Sequence, residues 1–385
     1  MFIERPRLLN EIKQSLKKNP ITALLGPRQC GKTTMARLIA KGMESVYLDL
    51  ENPVDEAKLQ NPQMFFDSTE GIIVLDEIQR KPDIMPILRV YADKTPLKLK
   101  FLLLGSASPD LVKKSSESLA GRVHFIEMSG FSEFETGAAK MNKLWLRGGF
   151  PKSFLAKNDE ESRDWRHDFI KTFLERDIFQ LGINIPSGVL HRFWSMIAHY
   201  HGQIWNASEI GNSMGVSHIT ARKYIDVLSG AFMARQLMPF YENIGKRIVK
   251  SPKIYVRDSG ILHALLNIFS YKVLLGHPKL GASWEGFALE QVLKKFGDRD
   301  VYFWSTYTGA ELDLLLIRDG KRYGFEFKCS DAPTMTKSMQ MALKDLNLRY
   351  LWIVYPGKDK YKLSANCECI PLDYLNRLND FFNLV

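Results

Sequence analysis

One glycine-rich segment near the N-terminus has the residue types and the spacing of a phosphate-binding loop. It fits the pattern G-x-x-x-x-G-K-[ST], and with one further threonine it comprises Gly26, Pro27, Arg28, Gln29, Cys30, Gly31, Lys32, Thr33 and Thr34. The segment follows an apolar run and precedes a helical pattern, so backbone N–H groups and a helix N-terminus can face phosphates. We expect Lys32 to reach the β- and γ-phosphates, Thr33 to bind Mg²⁺ and Thr34 to support the α-phosphate. The expected cofactors are therefore ATP and Mg²⁺.

A second motif could supply the chemistry of hydrolysis. The apolar run Gly71–Leu75 ends in two carboxylates, Asp76 and Glu77. We expect Asp76 to hold Mg²⁺ through water and Glu77 to polarise the water that attacks the γ-phosphate. The alternative is a solvated strand end without a catalytic role.

Two further residues could respond to the γ-phosphate. Ser106 follows the apolar run Lys100–Gly105 and would sense the phosphate from a neighbouring strand. Arg122 precedes the last apolar run of this region and could act as an arginine finger, in cis, or in trans if the protein forms a homo-oligomer. The alternative for Arg122 is a surface or structural ion pair.

Near the C-terminus, charged residues alternate with apolar ones in the pattern D-x12-E-x-K. The residues are Asp313, Glu326 and Lys328, and the period of two places Glu326 and Lys328 on one face of a strand. Two carboxylates can bind a divalent metal, and a lysine beside them can orient water or stabilise developing negative charge. In the alternative interpretations, all three face solvent, or the site has decayed and is kept for binding.

The middle of the chain has helix-turn-helix spacing. Residues 207–217 and 219–228 form two helical patterns around a glycine turn. His218, Arg222 and Lys223 on the second helix are the candidates for contact with DNA phosphates. Lys246 and Arg247 would lie in a hairpin wing. The alternative is that this segment binds protein or packs on the ATPase.

The elements that must position these residues follow from the order of apolar runs. Residues 1–130 alternate strands with helices, which predicts a parallel sheet with helices on both faces. Residues 131–186 are mostly helical, and residues 187–258 combine short helices with a hairpin. Residues 259–385 contain a helix, Ser283–Phe296, and further strands. The predicted strands are Ile21–Leu25, Ser45–Leu50, Gly71–Asp76, Lys100–Gly105, Val123–Met128, Val301–Trp304, Glu311–Ile317, Tyr323–Lys328 and Tyr350–Tyr355.

Composition narrows the class of protein. The 385 residues carry a net charge of +10, and residues 187–258 contain nine Lys or Arg but only four Asp or Glu, which favours a polyanion such as DNA as partner. No apolar run reaches the ~18 residues of a membrane span, so no membrane association is expected. The four cysteines form no paired CxxC motif, and free thiols suit a cytoplasmic protein.

Taken together, these motifs resemble those of the bacterial and archaeal AAA+-type P-loop ATPases that carry a winged helix and a fused C-terminal PD-(D/E)XK restriction-endonuclease-like domain. The matching stretches are Gly26–Thr34, Tyr47–Glu51, Asp76–Gln79, Gly105–Ser106, Leu119–Arg122, Phe131–Phe134, Arg147–Pro151 and Arg176–Ile178. One departure is Leu104, where the family often has threonine, which leaves Ser106 as the evident sensor.

The resemblance implies an α/β fold: a P-loop NTPase domain (1–130), a helical lid or linker (131–186), a winged helix-turn-helix (187–258) and a smaller α/β nuclease-like domain (259–385). It also implies that Glu285 matches the family's helix glutamate as a further metal ligand, with Glu290 as a second candidate.

The predicted function is ATP hydrolysis coupled to DNA binding or processing. One alternative is a regulatory switch ATPase that acts on a protein partner and has a non-catalytic C-terminal domain. A second alternative is a nucleic-acid-binding module with a slow ATPase and an inactive nuclease domain.

Overall fold

The computed structural model describes residues 3–106, 119–180, 183–241, 250–307 and 309–378. Its N-terminal part is a five-stranded parallel sheet in the order β2-β3-β4-β1-β5. The strands are β1 (Ile21–Leu25), β2 (Ser45–Asp49), β3 (Gly71–Asp76), β4 (Leu99–Gly105) and β5 (Val123–Glu127). The five strands predicted for this region are therefore present, and the parallel sheet is confirmed.

Helices cover both faces of this sheet. They are α1 (Pro6–Lys18), α2 (Lys32–Ala40), α3 (Pro53–Lys58), α4 (Pro62–Asp67) and α5 (Met85–Ala92). Along β4, Leu102 and Leu104 belong to the same buried cluster as residues of α1 and α2, whereas Phe101 and Leu103 pack with residues of α5. Because the strands are buried on both faces, they are apolar throughout rather than alternating.

The next part is helical, as predicted. Its helices are α6 (Glu133–Thr136), α7 (Met141–Arg147), α8 (Pro151–Phe154), α9 (Asp159–Thr172) and α10 (Ile178–Gln180). A π-helical turn, Phe173–Asp177, joins α9 to α10. We call residues 131–180 the lid segment, since they follow the sheet and face the P-loop.

The middle segment contains the predicted helix-turn-helix. Its elements are α11 (Ser187–His199), β6 (Gln203–Ile204), α12 (Ala207–Met214), α13 (His218–Gly230), β7 (Ala234–Leu237) and β8 (Lys253–Val256). Gly215 ends α12 in the left-handed conformation, and the Ser217 side chain caps α13 by accepting from the N–H of Thr220. The strands form an antiparallel sheet in the order β6-β8-β7. The predicted wing residues Lys246 and Arg247 lie outside the described residues.

The C-terminal part is a separate mixed sheet with helices on both faces. Its helices are α14 (Ser259–Leu265), α15 (Tyr271–Leu275), α16 (Leu280–Phe296) and α17 (Lys337–Asp345). Its strands are β9 (Val301–Ser305), β10 (Glu311–Arg318), β11 (Lys321–Phe327), β12 (Tyr350–Tyr355), β13 (Tyr361–Ser364) and β14 (Cys367–Pro371). β9, β10 and β11 form an antiparallel meander, and β12 runs parallel to β11. The strands β13 and β14 were not predicted.

One buried apolar cluster runs through all these parts. It includes Leu24 of β1, Trp145 of the lid segment, Trp194 of α11, Trp284 of α16 and Trp352 of β12. Polar contacts accompany the packing, since the Trp145 indole N–H donates to Ser283 Oγ at 2.9 Å. In the described part of the chain, no helix combines the length and the apolar character that crossing a membrane would require.

Candidate functional site

The P-loop follows β1 and approaches the backbone of the neighbouring strand very closely. A Cβ atom on Gly26 would lie 1.9 Å from the carbonyl oxygen of Met128, so only glycine fits at this position. Gly31, at φ +103°, adopts a left-handed conformation and starts α2 at Lys32. The Cys30 thiol is buried and donates to the same Met128 carbonyl, which makes its role structural. The loop is thus held so that the N-terminus of α2 faces the space outside the sheet.

The side chains expected to bind phosphate and Mg²⁺ meet at the carboxyl edge of the sheet. Lys32 is buried, and its Nζ donates to the carbonyls of Gly26 at 2.8 Å and Pro27 at 2.9 Å. Thr33 Oγ1 donates to Asp76 Oδ2 at 2.8 Å, and the Tyr47 hydroxyl donates to the same oxygen. Burial and the hydrogen bond to Asp76 raise the pKa of Tyr47 well above its ordinary value, so Tyr47 stays protonated. Thr33 and Asp76, the two residues expected to hold Mg²⁺, are therefore in direct contact.

The Glu77 carboxylate lies beside this pair. Glu77 leaves β3 with φ +55°, and its N–H donates to Asp76 Oδ1 at 2.9 Å. Ser106 Oγ, at the end of β4, donates to Glu77 Oε2 at 3.4 Å, and the Gln79 amide donates to the same oxygen. Ser106 therefore contacts the candidate base, a contact that sequence reasoning did not anticipate.

Arg28 ties the P-loop to the lid segment. Its guanidinium lies 2.5 Å from Asp177 Oδ1, 2.9 Å from Glu51 Oε1 and 3.8 Å from Glu77 Oε1, and it also donates to Gln180 at 3.0 Å. Burial alone would lower the pKa of Arg28, but the hydrogen bond with Asp177 and the surrounding carboxylates raise it overall. Arg28 was expected only as one residue of the loop. Its connecting role depends on partners up to 152 positions away in the sequence.

A cavity of about 570 Å³ opens between the P-loop and the lid segment. This volume is within the usual range for small-molecule sites. Arg176 and Lys152 contribute positive charge to its wall in addition to Lys32. Its apolar wall comprises Ile3, Leu38, Phe131, Pro151 and Leu155. The cavity therefore offers cations for phosphates and an apolar surface for a base.

The structure does not support Arg122 as a finger acting in cis. Arg122 precedes β5, and its carbonyl accepts from the N–H of Ile21 at the start of β1. The P-loop begins at the other end of β1, so Arg122 lies at the opposite edge of the sheet. Its guanidinium donates twice to Asp93, at 2.6 and 2.9 Å. The ion-pair alternative describes the observed contact, and a role in trans stays a prediction.

The candidate DNA-contacting residues lie on one side of α13. His218, Arg222 and Lys223 are exposed, whereas Ile225 and Leu228 are buried. Residues 187–258 present less positive charge at the surface than their composition indicates. Of the seven basic side chains that the structure describes in this segment, three are engaged with carboxylates, namely Arg235 and Arg257 with Glu290, and Lys253 with Glu285, Glu311 and Asp313.

Two lysines lie against the carboxylates of the predicted C-terminal metal site: Lys328, as predicted, and Lys253, which was not predicted. Asp313 and Glu326 lie on adjacent antiparallel strands, and Lys328 Nζ is 2.7 Å from Glu326 Oε1. Lys253 Nζ lies between the two other predicted ligands, 3.2 Å from Glu285 and 3.4 Å from Asp313. Across the described residues, no group of three or more His, Cys, Asp or Glu side chains is arranged to hold a metal ion. The use of Asp313, Glu326 and Glu285 as metal ligands therefore stays a prediction, with Lys253 as an unpredicted neighbour of two of them.

The second candidate ligand, Glu290, is also engaged elsewhere. It is buried between Arg235 and Arg257, and these arginines lower its pKa to about 2 although burial would raise it. In the carboxylate cluster, burial raises the pKa of Glu285 to about 7 and that of Glu326 to about 8.

Known proteins share the fold and the P-loop domain of this chain. Residues 18–136 match the family model described as AAA domain. The Walker-type ATPase of Pyrococcus abyssi has a similar structure, with a TM-score of 0.50 and 14% identity over 69% of this chain and 96% of that chain. At this identity the likeness shows the fold alone. The fold, the loop and the AAA match define a P-loop NTPase of the AAA class.

Two mycobacterial proteins are much more similar in sequence. An uncharacterized protein of Mycobacterium tuberculosis and another of Mycobacterium bovis are each 47% identical over 97% of this chain and 85% of their own length. The chain belongs to the family of these proteins. Residues 138–272 and 280–375 match two domains of unknown function, DUF8612 and DUF4143.

The position of Glu77 predicts that Glu77→Gln separates ATP binding from turnover. The amide keeps the size of the side chain but cannot accept a proton, so we expect turnover to fall ~100-fold while ATP affinity changes little. Steady-state turnover and calorimetric ATP binding measure the two effects. Glu70→Gln, at an exposed position before β3, is the matched control. Near-parent turnover in Glu77→Gln would show that another group positions the water.

The contacts of Arg28 predict that Arg28→Ala loosens the lid segment. Loss of the guanidinium removes the ion pair of Asp177 and the shortest ion pair of Glu51. We therefore expect the free energy of unfolding to fall by ~1–3 kcal/mol. Denaturant unfolding measures it. The control is Arg80→Ala, since Arg80 is more exposed and lies 3.7 Å from the same Glu51. Equal effects of the two variants would contradict the connecting role of Arg28.

Proposed function

We propose that this protein binds ATP with Mg²⁺ at the P-loop and hydrolyses it. The observation that carries the proposal is the hydrogen bond between Thr33 and Asp76, with the Glu77 N–H donating to the same Asp76 carboxylate at the edge of a cavity large enough for a nucleotide. In this proposal Lys32 neutralises the β- and γ-phosphates, and Thr33 and Asp76 hold Mg²⁺. Glu77 orients and polarises the attacking water, and Ser106 positions Glu77.

We also propose that the nucleotide state is transmitted to the middle segment. The turn that follows α13 lies against the P-loop: Pro27 lines one small cavity with Ala231 and another with Phe232 and Met233. If phosphate binding displaces the P-loop, Pro27 would move toward or away from this turn. The contact supports coupling between ATP and whatever α13 binds.

The proposed partner of α13 is duplex DNA. The helix-turn-helix, followed by the β6-β8-β7 sheet, supports a winged helix for residues 187–256. Exposed His218, Arg222 and Lys223 could contact phosphates from α13. We further propose a restriction-endonuclease-like fold for the C-terminal part, in which the lysine-filled carboxylate cluster has no nuclease activity.

A protein partner is the second candidate. The observation that favours it is the pairing of Arg235, Lys253 and Arg257 with carboxylates, which removes basic side chains from a DNA-facing surface. Under this proposal the protein is a regulatory switch ATPase, and α13 binds a protein surface in a nucleotide-dependent way. Salt dependence separates the candidates, since binding to DNA weakens steeply with salt through counterion release.

Lys32→Ala tests the proposed ATPase. Without the ammonium, the phosphate charge is not neutralised in a water-poor site, so we expect at least ~100-fold lower turnover, or ~2.7 kcal/mol in the barrier. The release of phosphate measures it. Lys41→Ala, an exposed position at the other end of α2, is the control for charge and helix content. If Lys32→Ala turns over ATP like the parent, the site assignment is wrong.

The double variant Arg222→Ala with Lys223→Ala tests the proposed DNA surface. Each lost phosphate contact should lower the salt slope of binding by ~1, so we expect a decrease of ~2 and weaker binding. Fluorescence anisotropy with a labelled duplex across a salt titration measures both quantities. The control removes two exposed lysines from the end of α1, Lys17 and Lys18. An unchanged slope in the test variant would contradict DNA binding by α13.

A further inference from the structure

A buried lysine lies at the centre of the C-terminal carboxylate cluster. Lys253 is the first residue of β8, and only 3% of its side chain is exposed. Its Nζ is 3.2 Å from Glu285 Oε1 and 3.4 Å from Asp313 Oδ1, and it also pairs with Glu311. Tyr255, two residues along the same strand, donates its hydroxyl to Glu285 Oε1 at 2.6 Å. β8 therefore inserts both a cation and a hydrogen-bond donor into the cluster.

The carboxylates come from different elements, so the lysine connects parts that are distant in sequence. Glu285 is on α16, whereas Glu311 and Asp313 are on β10. The second oxygen of Asp313 accepts from the N–H of Phe327 at 3.0 Å, so its orientation is fixed from the neighbouring strand. An ammonium this deeply buried would be costly without such partners. Lys253 thus forms specific, buried ion pairs with Glu285 and Asp313.

Lys253 and a divalent cation would use the same oxygen atoms. Glu285 and Asp313 are two of the three residues predicted as ligands of this metal site, and both direct an oxygen at the Lys253 ammonium. The remaining one, Glu326, has its own lysine partner in Lys328. A metal ion placed among these carboxylates would meet the ammonium at close range, and like charges in a buried site repel strongly.

We propose that Lys253 is the resident cation of this cluster, and that it excludes divalent metal ions from Asp313 and Glu285 while it ties β8 to the C-terminal sheet. The proposal is independent of ATP hydrolysis. It assigns the cluster a connecting role between the middle segment and the C-terminal part.

Mn²⁺ binding to the full chain without nucleotide tests the proposal. The free ion is measured by electron paramagnetic resonance. We expect the parent and Asp313→Asn to bind Mn²⁺ equally, since Asp313 is already engaged. Lys253→Met removes the ammonium but keeps an apolar stem, so we expect it to gain a bound ion, and the double variant Lys253→Met with Asp313→Asn to lose that ion again.

Lys250→Met is the matched control, because Lys250 is exposed and lies three positions before Lys253; it should bind Mn²⁺ like the parent. Circular dichroism checks that each variant folds. A folded Lys253→Met variant that gains no Asp313-dependent ion would overturn the proposal. If Lys253→Met does not fold, the parent and Asp313→Asn decide alone: equal binding supports the proposal, and Asp313-dependent binding in the parent overturns it.

Discussion

The parallel pairing of β1 with β4 on one side and β5 on the other is the constraint on which the nucleotide site depends. In a parallel sheet all carboxyl ends lie at one edge, so the P-loop after β1, Ser106 after β4 and Met128 after β5 become neighbours. β3 adds Asp76 at the same edge, one strand further along. The short distance between Gly26 and Met128 shows how tightly β5 closes the loop. The same parallel order places Arg122 at the wrong edge for catalysis in cis.

Local patterns were sufficient for much of the fold. The P-loop, the buried strands and the two helices of the helix-turn-helix each depend on residues close together in the sequence, and their predicted ends differ little from those observed. β13 was missed because it is short and only partly buried, and β14 because it carries Glu368 between two cysteines. Burial explains that glutamate, since its carboxylate accepts from the Trp352 indole and pairs with Lys360.

The contacts that the sequence did not predict at the candidate sites have a common physical origin. Residue types indicate what a side chain can bind, but the partner is chosen by tertiary contacts. Asp313 and Glu285 were suitable metal ligands by type, yet Lys253, which precedes Asp313 by 60 positions, reaches them. Arg28 was one of several loop residues until the lid segment brought Asp177 to it. Counting charges in residues 187–258 had the same weakness, because it could not separate exposed cations from those in ion pairs.

These ion pairs also bear on how the parts of the chain communicate. Arg28 joins the P-loop to the lid segment, Pro27 lines a small cavity together with the turn after α13, and Lys253 joins β8 to the C-terminal sheet. These parts of the chain share one continuous apolar cluster, and a close-packed interior transmits strain from one element to the next. Thermodynamic linkage then requires reciprocity: if ATP changes the affinity of α13 for a partner, that partner changes the affinity for ATP by the same factor. The buried lysine favours keeping β8 against α16 and β10, because removing the Lys253 ammonium from its buried carboxylates would cost ~3–5 kcal/mol, the usual cost of a broken buried ion pair.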